Sequence, residues 1–252
     1  MKRVKLTVAY DGTNYCGWQV QPNGVSIAGT LNQHLSELLN EEIYVLGASR
    51  TDAGVHALGN VAVFNTEARM PAERISYALN TRLPEDIRIQ DSREVAPDFH
   101  PRFARTRKTY EYKIWNWRFS EPCSRLYSLF YHWSLDVERM RRAAAYLVGT
   151  HDFTSFCTNK PEVTNRVRTI YSLEIYAQGE AMEYGIGMIT VRICGNGFLY
   201  NMVRIIVGTL LKVGGGMMEP EEVQTILEAR DRSLAGDTAQ AHGLTLVGVD
   251  YL

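Results

Sequence analysis

Gly47-Ala48-Ser49-Arg50-Thr51-Asp52-Ala53-Gly54-Val55-His56-Ala57 sets one carboxylate among small residues and glycines, with an apolar run, Ile43–Leu46, before it and another, Val61–Phe64, after it. Both runs read as strands, so Asp52 falls on a strand-to-strand connection. Parallel neighbours require a long crossover, usually a helix, and several successive strands here lack one. An antiparallel sheet follows, with Asp52 held on one of its loops.

Working outward, Val4, Leu6, Val8 and Tyr10 alternate with polar or small partners, as a half-buried strand does, and Asp11-Gly12 supplies a turn. Ser26 reads as the cap of a helix with Ile27, Leu31, Leu35, Leu38 and Leu39 on one face. Pro71 opens a second helix to Asn80, and Ile87–Ile89 is a short strand. Thr106–Trp117 carries a period of two at Tyr110, Tyr112 and Ile114. A helix capped by Asp136 runs to Val148, followed by strands at Thr169–Ala177 and Ile186–Ile193. Helices over Phe198–Val213 and Pro220–Ala229 precede a last strand, Leu244–Asp250. The order predicts an α+β chain with a largely antiparallel mixed sheet flanked by helices, in halves covering 1–105 and 106–252.

At 252 residues, 45% hydrophobic and 10% aromatic, the chain is long and apolar enough to bury a core and is no disordered protein. Its longest apolar stretch, Phe198–Val213, is interrupted by Asn201, Arg204 and Gly208 and is too short to span a bilayer. Met1-Lys2-Arg3 leads straight into a strand pattern and not into an apolar signal segment, so the expectation is a cytoplasmic protein. Cys16, Cys123, Cys157 and Cys194 are far apart and lack zinc-site spacing, which predicts reduced, structural thiols and no metal.

A net charge of −1 does not favour nucleic acid, but its distribution leaves room for it. Arg102, Arg105, Arg107, Lys108, Lys113 and Arg118 are interleaved with Phe103, Tyr110, Tyr112, Trp115 and Trp117, while acids gather at Glu219–Glu222 and Glu174–Glu183. Such separation permits one basic face.

Taken alone, Asp52 is a turn residue, a metal ligand or a catalytic carboxylate. A metal is the weakest of these, because only His56 lies near it and no second carboxylate stands at a suitable spacing. Arg204 is conspicuous, since Met202, Val203, Ile205, Ile206 and Val207 surround it. A guanidinium there must find a carboxylate or snorkel to the surface.

Three motifs together resemble the TruA family of tRNA pseudouridine synthases: the run Arg50 to His56, Lys108-Thr109-Tyr110-Glu111-Tyr112, and Val203-Arg204-Ile205-Ile206-Val207-Gly208. The likeness runs from Val4 to Val249. It implies two similar lobes whose sheets join into one, with a cleft for RNA, the pseudouridine synthase fold. It implies isomerisation of uridine in the anticodon arm of tRNA, at positions 38, 39 and 40, by a homodimer without cofactor.

In that family the Asp matched by Asp52 is the essential residue. A carboxylate nucleophile there would capture the base or the sugar and split one hard step into easier ones, the alternative being removal of a ribose proton. Arg50 matches the Arg that fills the space of an extruded base and contacts phosphate. Tyr110 matches the Tyr that stacks on the target base, where its hydroxyl could serve in removing the C5 proton. Arg204 matches the Arg that pairs with the catalytic Asp and lowers its pKa. Lys108, Arg102 and His56 are expected to support RNA contact. Asp11-Gly12-Thr13-Asn14-Tyr15-Cys16-Gly17-Trp18-Gln19 and His151-Asp152-Phe153-Thr154-Ser155-Phe156 also match, as structural or RNA-positioning segments.

Ser49 departs from the Gly common before the Arg, and Gln240 from the Pro of the family's tail loop. A noncatalytic RNA-binding or RNA-chaperone module is the rival reading. A carboxylate-dependent hydrolase is weaker, since glycosidases place a second carboxylate across the bond.

Overall fold

A computed structural model describes residues 1–158, 164–178 and 185–252. Glu180 and Glu183 of the acidic stretch lie outside them. In chain order the first elements are β1 (Lys2–Tyr10), α1 (Ile27–Leu39), β2 (Leu46–Gly47), β3 (His56–Thr66), α2 (Ala72–Asn80) and β4 (Ile87–Val95). There follow β5 (Thr106–Asn116), β6 (Leu129–Tyr131), α3 (Val137–Ala145), β7 (Gly149–Asp152), β8 (Val167–Gln178), β9 (Gly187–Gly195), α4 (Met202–Gly214), α5 (Glu222–Ala229) and β10 (Leu244–Tyr251). The chain is α+β, with mostly antiparallel strands.

Contacts group these elements into two compact units, 1–106 with 245–252, and 107–244. In the first unit β1 lies antiparallel between β3 and β4, while Thr245 and Leu246 of β10 run parallel to His56 and Ala57. Val4, Leu6, Val8 and Tyr10 are buried, as their alternation requires. Ser26 caps α1 by accepting a hydrogen bond from the Gly29 amide, and Ile27, Leu31, Leu35 and Leu39 form its buried stripe, with Leu38 at the margin.

Ile43–Val45 is not strand, contrary to the periodicity. The Ile43 amide donates to Ser36 Oγ and the Val45 amide to Asn32 Oδ1, so side chains of α1 take the donors that a ladder would use. Only Leu46 and Gly47 pair with β3.

In the second unit β9 lies antiparallel between β5 and β8, with β7 outside β8 and β6 parallel to β5. Asp136 caps α3 by accepting from the Arg139 amide, and α3 packs on α4 and β8. Short β6 and β7 had no periodic signal. Helix α4 starts at Met202 and not at Phe198, because Asn201 adopts a left-handed conformation at φ 62°. Of the four cysteines, all free, only Cys157 is buried and Cys123 is exposed. Among the described residues no helix is long and apolar enough to cross a membrane.

Candidate active site

The loop between β2 and β3 alternates sharply in exposure. Ser49 and Thr51 are buried, Arg50 is exposed and Asp52 half-buried. Asn60, 0% exposed on β3, is the reason. Its Oδ1 accepts from the amides of Ser49 and Val61, and its Nδ2 donates to Ser49 O and to Tyr10 Oη. Tyr10 Oη in turn shares a 2.7 Å hydrogen bond with Thr51 Oγ1. Both hydrogens and both lone pairs of the Asn60 amide are used, so this buried group is satisfied and rigid. Ser49 is 4% exposed, and its buried Oγ has no partner among the described residues.

From the other side the loop is pinned by the segment 11–18. The Trp18 amide donates to Thr51 O at 3.0 Å, and Gly17, at φ 102°, approaches so closely that a Cβ would lie 2.7 Å from Thr51 O. Asp52 then opens a tight turn in which its carbonyl accepts from the Val55 amide, with Gly54 at φ 76°. His56, 4% exposed, lies beneath: its Nδ1 accepts from the Gly12 amide and stands 3.1 Å from Asp11 Oδ1. The Asp11 to Gln19 segment is therefore a brace for the carboxylate loop.

Arg102 lies over the start of this loop, its Nε donating to Gly47 O at 2.8 Å. Burial first, and then the charge of Arg50, hold the Arg102 guanidinium below its usual pKa. Two guanidiniums that feel each other's charge suit a phosphate. Beside them His100 stacks on Phe103 at 4.0 Å, leaving Phe103 85% exposed.

The second unit holds Lys108, Tyr110 and Arg204. On β5 the alternation puts Lys108, Tyr110 and Tyr112 on one face. Tyr110 is buried edge-on against Phe198 at 5.3 Å, a contact that aligned no sequence signal. Tyr112 is 0% exposed, and its hydroxyl donates to Gln240 O at 2.8 Å. Burial raises the Tyr112 pKa, and the Arg204 charge partly opposes it.

Within its own unit the half-buried Arg204 donates from Nε to Ala239 O at 2.6 Å and from Nη1 to Asn201 Oδ1 at 3.1 Å. The Ala239 amide returns a bond to Arg204 O. Gly208, one turn further, lets the loop 236–243 touch α4: a Cβ there would lie 1.8 Å from Asp237 O. Thr209 Oγ1 accepts from the Gly236 amide at 2.9 Å. Gln240, the departure from the family Pro, is thus held through its carbonyl. Among the described residues no group of three or more His, Cys, Asp or Glu is placed to hold a metal ion.

Within the first unit, a braced carboxylate, two guanidiniums and an exposed aromatic ring form a surface of the chemistry that contacts nucleic acid. The sequence profile of a family described as tRNA pseudouridine synthase matches residues 6–104 and 143–252. A tRNA pseudouridine synthase A from Thermoanaerobacter sp. (strain X514) is 45% identical over 251 residues, covering 100% of both chains. One from Exiguobacterium sibiricum is 47% identical over 252 residues, covering 100% of this chain and 97% of that one. A chain of a solved H/ACA RNP bound to a substrate RNA containing 2'-deoxyuridine aligns with 96% of this chain and 45% of its own, at 11% identity and a TM-score of 0.37, too distant to carry an argument. By the profile and the full-length identities, this chain belongs to the tRNA pseudouridine synthase family of isomerases.

Proposed function

We propose that the protein converts uridine to pseudouridine at positions 38, 39 and 40 of tRNA, with Asp52 as nucleophile. The observation that carries this reading is the loop itself: Ser49 and Thr51 are anchored inward, so Arg50 and Asp52 are presented from a rigid support. Preorganised placement of that kind is what a nucleophile requires.

In this reading Arg50 fills the stack left by the extruded uridine, and with Arg102 it binds backbone phosphate. Tyr110 stacks on the base, Lys108 supports the backbone, and Arg204 keeps Asp52 ionised, since an adjacent guanidinium lowers a carboxylate pKa. The Asp52 carboxylate bonds to the base or the sugar, the C1'–N1 bond breaks, the base turns, C5 bonds to C1', and the bond to Asp52 breaks to free the carboxylate. The C5 proton leaves to a base, a role assigned in this reading to the Tyr110 oxygen, and N1 gains a proton. No oxidant or reductant is required. His56, buried beneath the loop, acts through the brace and not by touching RNA.

A homodimer in the cytoplasm offering a two-subunit surface for one tRNA completes the proposal, and sedimentation tests the dimer. The reaction is tested with tRNA tritiated at uridine C5, without added metal or nucleotide, beside a transcript carrying cytidine at positions 38 to 40. Tritium should reach water from the first and not the second. Equal release from both would overturn the site assignment, and binding without release would favour the noncatalytic RNA-binding module.

A further inference from the structure

Three non-glycine residues among those described have positive φ: Asn40, Arg230 and Asn201. Asn40 and Arg230 end helices, where a left-handed residue is the common way to stop. Asn201 begins one, at φ 62° and ψ 4°. A helix normally starts from an extended cap whose side chain accepts from the first turn, and Asn is among the best residues for that duty. Asn201 makes no such bond.

Its side chain is spent elsewhere. Oδ1 accepts from Arg204 Nη1 at 3.1 Å, and Nδ2 donates to Thr158 Oγ1 at 2.9 Å. The Thr158 amide donates to Tyr200 O, so Thr158 is tied to the same turn twice. With the backbone turned left-handed, the side-chain amide faces Arg204 and Thr158 and not the helix start. A left-handed residue at a helix start, with a favoured cap forgone, is held there by its neighbours and motivates a functional assignment.

We propose that Asn201 is a positioning residue that, braced by Thr158, fixes the rotation of the Arg204 guanidinium for the reaction proposed above. Ala239 O holds Nε and so sets where the side chain lies. Asn201 holds an outer nitrogen and so sets how the plane is turned. A guanidinium recognises a carboxylate through the directions of its N–H groups, so its turn matters as much as its place.

Asn201→Gly separates this role from a structural one. Glycine adopts the left-handed region freely, so the backbone keeps its course while the side chain is lost. In this variant kcat for tritium release should fall about 10-fold, the scale of one hydrogen bond to a charged group, with KM and melting temperature close to wild type. Thr158→Val should fall less, by about 3-fold, because it removes only the brace. The second readout needs no turnover: the Arg204 Nη–H signals, assigned by difference from Arg204→Lys, should be resolved in wild type and averaged by rotation in Asn201→Gly. Unchanged Nη–H signals, or a kcat within 2-fold of wild type, would overturn the proposal. A wild-type protein that releases no tritium removes the pseudouridine synthase reading alone, since the Nη–H comparison then still decides the geometry.

Discussion

The loop that carries Asp52 and the helix that carries Arg204 are made rigid by opposite means. The first is a short irregular stretch held by buried side chains: Asn60 grips the backbone of Ser49, and Tyr10 grips the hydroxyl of Thr51. The second is a regular helix that needs no such support for itself, and what is fastened is its neighbouring loop, by close backbone approach at Gly208 and Gly236 and by the bonds of Arg204 and Tyr112. A loop without ladder partners must satisfy its polar groups with side chains, whereas a helix can use glycine to let another backbone touch it. The two halves should therefore fail in different ways.

The largest effect is expected at Gly208. In an unpacked helix Gly→Ala stabilises by helix propensity, by about 1 kcal/mol. Here the new methyl would meet Asp237 O, and parting the helix from its loop should cost about 3 kcal/mol, the upper end of ordinary overpacking. At roughly 2–4 °C per kcal/mol the melting temperature should drop by about 6–12 °C. A rise on thermal melting would break the claim that close approach holds this half.

Asn60→Ala comes next. It strands the amides of Ser49 and Val61 and the Ser49 carbonyl in a dry place, at a cost of about 2 kcal/mol. The distinctive outcome is kinetic: kcat should fall at temperatures where the variant is fully folded, because the loop has lost its anchor and not the protein its core. Loss of stability with unchanged kcat would reduce Asn60 to packing.

Tyr112→Phe is the mildest, near 1 kcal/mol at neutral pH, since the ring still fills its site and only the bond to Gln240 O is lost. Its effect is easiest to see in alkali. The folded Tyr112 pKa is raised, so the unfolded chain releases this proton first. The hydroxyl's contribution is whole below the unfolded value of about 10 and is lost as pH climbs toward the folded value. Urea midpoints should therefore decline more steeply above about pH 10 in wild type than in Tyr112→Phe. Parallel curves would place the shift elsewhere.

Much of this was open to reading in the chain. Ser26 and Asp136 announced their helices because a capping side chain is a local device. The period of Tyr110, Tyr112 and Ile114 gave β5 its buried face. Where the reading missed, the cause was non-local. Ile43–Val45 has strand composition, but Asn32 and Ser36 of α1 claim its amides, a competition between residues distant in sequence. Parallel pairing of Thr245 with His56 has no local trace. Asn60 could have been noticed as a polar residue ahead of the apolar run Val61–Phe64, yet only the fold shows what its amide holds. Asn201 was hidden because its type suits an ordinary cap, while its backbone conformation, invisible in sequence, makes it something else.

The most direct test of the central claim is tritium release from C5-labelled tRNA by Asp52→Asn, measured beside its tRNA affinity. The substitution keeps shape and turn while removing the nucleophilic charge, so release should vanish with affinity unchanged. Release at the wild-type rate would contradict a covalent role for Asp52, and with it the view that the loop between β2 and β3 is built to present a nucleophile.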